Sequence, residues 1–116
     1  MYVDGCVFAV PTANKEAFTR FAQMACAAFR ENGALEAYDC WGVDVPDGQL
    51  TSFPMAVKLQ PDETVVFSWM VWPDKATRDT GMAAVMVDPR FQGDEMRSLF
   101  DGKRMIFGSF IPISGG

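Results

Sequence analysis

The sequence holds no histidine, and that one absence excludes a great deal. Histidine-held haem, histidine-based nucleophile triads, the common zinc and non-haem iron sites and the usual general base near neutral pH all depend on that side chain. Cysteine is scarce as well. Cys6, Cys26 and Cys40 are odd in number and lack CxxC spacing, which argues against a disulfide framework or a zinc site and for a reducing, cytoplasmic compartment. No metal and no cofactor is expected. Positive charge is short: 10 Lys and Arg against 15 Asp and Glu give a formal charge of −5. Affinity for nucleic acid comes mainly from cations that neutralise phosphates, so no nucleic-acid partner is expected. The one basic cluster, GKRM around Lys103 and Arg104, reads as a solvated strand start. Long apolar runs are missing too, since nothing approaches the roughly 20 residues that span a bilayer. The opening MYVDGCVFAVP has no basic region ahead of its apolar residues, so neither a membrane partner nor a secretory signal is expected.

What is present is the composition of a protein that buries a core. The 116 residues are 49% hydrophobic and 22% charged, and that length suits one domain spanning residues 1–116. Tyr2 to Pro11 is rich in Val and Phe and predicts a first strand. Asn14 is a good N-cap for a helix over Lys15 to Asn32, in which Phe18, Phe21, Ala22, Ala25 and Phe29 form one apolar stripe. Gly33 follows where a helix end favours a residue tolerant of positive φ. Leu35 to Val45 alternates as a second strand, and Pro46 to Gly48 is a turn. The next stretch, TSFPMAVKLQPDE, fits a short helix capped by Ser52, although Met55, Val57 and Leu59 also alternate. Val65 to Trp72 is the third strand, halted by Pro73. Asp74 caps a second long helix reaching about Val87, in which Gly81 costs about 1 kcal/mol relative to alanine. Beyond DPRF and a polar passage, Arg104 to Ile113 alternates as the fourth strand.

The order β-α-β-β-α-β predicts an α+β, ferredoxin-like fold, in which two helices lie on one face of a four-stranded antiparallel sheet. Two helices leave the other face bare, and a bare face should be polar. Strand 3 is not: Phe67, Trp69 and Val71 point one way, and Val66, Met70 and Trp72 the other. Strand 4 repeats the pattern, with Phe107, Ile111 and Ile113 opposite Ile106 and Phe110. Each aromatic carries about 150 to 250 Å² of surface, more in sum than monomers usually expose. A homodimer, sheet against sheet, is therefore expected, and a ferredoxin-like unit paired this way makes the dimeric α/β barrel. The alternative is that the long connection between strands 2 and 3 folds back over the open face.

The pieces YVDG, CW, DVPDG, FPMAVK, ETVVFSWMVWP, RD, DPR and FDGKRMIFGSF, in this order, resemble the domain of unknown function 1428 (DUF1428) family, also called YbaA-like. The resemblance runs from Tyr2 to about Ile111. It implies membership of the dimeric α/β barrel superfamily and supplies no assigned reaction and no catalytic residues. The wider superfamily includes cofactor-independent monooxygenases, haem-degrading enzymes, isomerases and decarboxylases beside ligand-binding modules, commonly with a pocket between helices and sheet in each protomer. A haem-degrading role usually needs a histidine ligand, which this chain lacks.

Four residues stand out as carriers of chemistry. Asp39 and Trp41 project from one face of strand 2, and a carboxyl beside an indole in a cleft has a raised pKa and can move a proton. Against this, Trp41 can be core, with Asp39 paired at an edge or across the dimer. Arg78 shares a stripe with Met82 and Met86 and can hold a carboxylate or enolate oxygen, or form a structural ion pair with Asp39, Asp4 or Asp44. Trp69 can wall a pocket or belong to the core. Two functions remain open. One is a small-molecule enzyme without metal or haem, with Asp39 as acid/base, Arg78 holding a small organic acid and Trp41 and Trp69 as walls. The other is a non-catalytic ligand-binding or regulatory homodimer. A pocket between helices and sheet that contains Asp39 or Arg78 favours the first, and a filled interior the second.

Overall fold

A computed structural model describes every residue from Met1 to Gly116. The chain runs β1 (Tyr2–Pro11), α1 (Lys15–Glu31), β2 (Glu36–Trp41), α2 (Phe53–Ala56), β3 (Glu63–Trp72), α3 (Lys75–Met86), α4 (Asp94–Leu99) and β4 (Ile106–Phe110). The four strands form one antiparallel sheet in the order β2-β3-β1-β4, the expected ferredoxin-like arrangement of an α+β protein. Ser52 and Asp74 cap their helices as expected, accepting from the amides of Met55 (3.1 Å) and Thr77 (2.7 Å). Gly33 follows α1 with φ +108°.

Alternation assigns each strand residue to a face. Phe8 and Val10 of β1 and Val66 of β3 turn toward α1, where they bury Phe18 and Ala22. On the other face Val7, Ala9 and Val65 form a second cluster with Val57, and Val45 and Leu59 lean on it. The connection from β2 to β3 thus does fold back over part of the open face. It leaves the rest uncovered: Phe67, Tyr38, Ile106 and Phe110 remain exposed, with Phe110 at 61%.

Gly81 has a packing reason. A Cβ there would lie 2.5 Å from the carbonyl oxygen of Asn32 and 2.7 Å from a ring carbon of Trp72. Its bare backbone lets α3 close over the end of α1 and over the fully buried indole of Trp72.

Four expectations need correction. The second strand ends at Trp41 rather than Val45: the Gly42 amide makes a last bond to the Val65 carbonyl (2.8 Å), and the chain then turns so that Val45 packs on the open face. The fourth strand spans Ile106–Phe110 rather than Arg104 to Ile113. Phe110 already pairs with Val3, near the start of β1, so Ile111 and Ile113 find no ladder partner. At its other end Arg104 lies in a 3-10 turn, tied to Glu63 (2.6 Å), Asp101 (3.1 Å) and the Lys58 carbonyl (2.9 Å). The polar passage contains α4, which joins α1 and α3 in the helical layer. Finally, Asn14 stands at the N-cap position but makes no side-chain cap bond there. Its amide donates instead to the Leu99 carbonyl (3.2 Å), fastening the end of α4 to the start of α1.

Candidate functional site

Between the sheet and the helical layer lies a cavity of about 450 Å³. Its walls are almost wholly apolar because the stripe of α1, the inner face of α3 and the segment 91–105 all turn side chains inward. Phe29, Met82, Phe91 and Met96 are representative of them. Met86, expected on the α3 stripe, also lines the cavity, although most of its side chain is exposed.

The polar groups of the cavity come chiefly from the middle of the sheet. Ser68 of β3 stands opposite Asp39 of β2 on one side and Cys6 of β1 on the other, so strand register places a carboxyl, a hydroxyl and a thiol in one row. From α1 the Cys26 thiol donates to Asp39 Oδ2 at 3.5 Å. Burial pushes the Asp39 carboxyl above the ordinary aspartate value, and the Ser68 hydroxyl and Cys26 thiol offset part of that rise. Burial likewise pushes the Cys6 thiol up to about 11, and it raises Cys26, which also faces the Asp39 carboxylate, to about 11. Both thiols are therefore protonated at neutral pH and are poor nucleophiles. No lysine or arginine lines the cavity.

The four candidates from the sequence do not converge on one point. Asp39 lines the cavity and also an outer groove along the α1–β2 edge. Trp41 shares its face of β2 and lines that outer groove but not the cavity. The Trp41 ring packs near Phe18 (6.5 Å between ring centroids) under the Lys15 ammonium, 5.5 Å away. Trp69 borders the cavity, yet its ring stacks with Tyr38 (5.1 Å) and Phe67 (5.6 Å), whose side chains alternate to the open face.

Arg78 is absent from the lining of both cavity and groove. It grips Asp4 with two bonds, Nε to Oδ2 at 3.0 Å and a terminal nitrogen to Oδ1 at 3.2 Å. Asp4 is buried and also accepts from the Trp72 indole (3.0 Å) and the Ser109 hydroxyl. This is the structural ion pair that the sequence allowed, with Asp4 as the partner.

Sequence reasoning missed Cys26 and gave no role to Ser68. Ser68 had a signal, being the one polar residue in an apolar strand. Cys26 had none, because its meaning comes only from facing Asp39 across the layer. No three of the Cys, Asp and Glu side chains gather in a metal-holding cluster.

The solved structure of a NIPSNAP domain protein from Burkholderia xenovorans superposes with a TM-score of 0.61 over 98% of this chain and 96% of that one, at 12% identity, and so shares the fold. The protein YbaA of Escherichia coli strain K12, named as uncharacterised, is 49% identical over 112 residues, covering 97% of this chain and 96% of the relative. The YbaA protein of Shigella flexneri matches to the same extent. The model of a protein family of unknown function, DUF1428, matches residues 1–102, and with the near full-length identity to YbaA this establishes that the chain belongs to the DUF1428 family.

Proposed function

We propose that this protein binds a small, largely apolar molecule in the cavity between helices and sheet, and that Asp39 is the group available there to move a proton. The observation that carries this reading is the conjunction of an unfilled apolar space of about 450 Å³ with one carboxyl whose pKa burial has raised. Ligand cavities typically pair apolar walls with a few placed polar groups, and a raised carboxyl in such a place is suited to general acid or base work. Ser68 and Cys26 act as positioning residues that hold the carboxyl. The chemistry in this reading needs no metal or cofactor, and the three free cysteines suit a reducing cytoplasm. No helix is long and apolar enough to cross a membrane.

The test is a fragment screen read on the methionine methyl resonances of the protein. Binders should shift Met70, Met82 and Met96, which line the cavity. No binder, or shifts confined to the open sheet face, sinks the reading. If a bound compound is converted, Asp39→Asn should lose turnover and keep binding. If none is converted, the protein is a binder without catalysis.

A second element of the proposal is a homodimer. An aromatic chain of Tyr38, Trp69 and Phe67, with neighbouring centroids 5.1 and 5.6 Å apart, lies on the part of the open face that the β2–β3 connection leaves uncovered, and Phe53 of that connection packs at its edge, 6.0 Å from Phe67. A second copy presenting the same face is the occupant whose chemistry matches it, since a two-fold interface is self-complementary.

A further inference from the structure

The cavity has a polarity that bears on which molecules can occupy it. Its lining carries the Asp39 carboxyl, the Ser68 hydroxyl, two thiols and the Gln92 carboxamide, whose nitrogen already donates to the Met86 carbonyl (2.8 Å), and no cation. Tyr38 borders it but stacks its ring on Trp69 at the open face. Two arginines that could hold an anion lie outside that lining. Arg78 is committed to Asp4 and lies outside the lining. Arg30 lines the outer groove, which shares Cys26 and Asp39 with the cavity, and is absent from the cavity lining.

An organic anion entering the cavity would lose its water and gain no countercharge. Its carboxylate would stand beside Asp39, and two carboxyls in one site cannot both ionise without raising the pKa of one. A hydrogen-bond donor has the opposite experience. An ionised carboxyl is purely an acceptor with about four lone-pair sites, and Asp39 has only the Ser68 hydroxyl and the Cys26 thiol, the latter at a long and weak 3.5 Å, to fill them. An ammonium or hydroxyl reaching the same carboxyl forms a shorter bond, charge-assisted in the first case.

Resting on the reading that this cavity holds a small molecule, we infer that it selects an apolar skeleton with a single hydrogen-bond-donating head, an amine or a hydroxyl, seated on Asp39, and rejects the organic anion of the same skeleton. The small organic acid expected from an inward-pointing Arg78 is replaced by the opposite charge class. The reason is tertiary: Arg78 was free to be a ligand holder only while its partner was unknown.

The experiment uses the whole protein and a matched series: 1-methylnaphthalene, 1-naphthylmethanol, 1-naphthylmethylamine and 1-naphthylacetate, titrated with binding read by protein NMR. The amine and the alcohol should each bind at least tenfold more tightly than the acetate. Asp39→Asn should erase the advantage of the amine over the alcohol. Asp39→Leu should reduce both to the affinity of 1-methylnaphthalene, whose own binding, retained in both variants, shows that the cavity has stayed folded. If 1-methylnaphthalene and all its relatives fail to bind wild type, the cavity reading falls and this inference with it. If the hydrocarbon binds while the acetate matches or exceeds the amine, the cavity stands and the polarity inference is overturned. Loss of acetate binding in Arg30→Gln would then put the anion in the outer groove.

Discussion

Asp39 is the residue whose behaviour should betray the site. Its carboxyl titrates higher in the folded chain than in the unfolded one, so the folded state holds the proton more tightly. The stability this contributes is fully present below the unfolded value and is lost as the pH rises through the folded value. Asp39→Asn removes that loss at nearly constant shape. The Tm of the variant minus that of wild type should therefore grow more positive from about pH 4 toward neutrality. A difference that stays flat across this range would mean that burial does not govern Asp39. Asp4 is the contrasting case, a buried carboxylate with every neighbour a donor: Trp72, Arg78 and Ser109. Arg78→Met leaves that carboxylate without its cation and should destabilise the protein by about 3 kcal/mol, the lower end for breaking a buried ion pair. Urea unfolding gives the measurement. A loss below about 1 kcal/mol, the level of a surface pair, would release Arg78 from its structural role.

Among the elements, α3 shows why propensity can mislead. Gly81 lowers helix propensity, and Gly81→Ala in an isolated helix gains about 1 kcal/mol. In this fold the added methyl meets the Asn32 carbonyl oxygen and the buried Trp72 ring, and overpacking of this kind costs about 1 to 3 kcal/mol. The alanine variant should melt below wild type, and an unchanged or raised Tm would show that α3 can shift away from β3. The long elements were legible because their signals are local: alternation in β1 and β3, the apolar stripe in α1, and the capping residues Ser52 and Asp74. Of the short helices, α2 was legible only through its Ser52 cap, and α4 was not. The helix α4 has six residues and Gly93 at its N-cap without a side-chain bond, so it presents no capping signal and little periodicity. Yet the segment that carries it brings Met96 and Phe100 to the cavity.

For the whole molecule, the question is what covers the open face. Phe67, Phe110 and Ile106 are 43%, 61% and 44% exposed, and contiguous apolar surface of this kind usually marks an interface. Sedimentation at micromolar concentration should give twice the chain mass of 12.8 kDa. Phe67→Asp should yield a monomer or insoluble protein. A well-behaved wild-type monomer would remove the dimer from the proposal. Because the cavity lies on the other side of the sheet, a soluble Phe67→Asp monomer should still take up 1-methylnaphthalene.

The sequence by itself determined the order of the long elements, which face each strand residue takes, and the ferredoxin-like arrangement that follows, because alternation, helical periodicity and caps act between residues close in the chain. It also determined that one sheet face would be too apolar for water. Only the tertiary structure decided the rest. Arg78 lies 74 positions from Asp4, and their pairing depends on α3 reaching the start of β1. Asp39, Ser68 and Cys6 form a row only once β2, β3 and β1 are in register. The same register turns Trp69 away from Asp39, and the fastening of α4 to α1 helps enclose the cavity. Each of these is a contact between distant parts of the chain, fixed by how the layers close, and no local pattern encodes it.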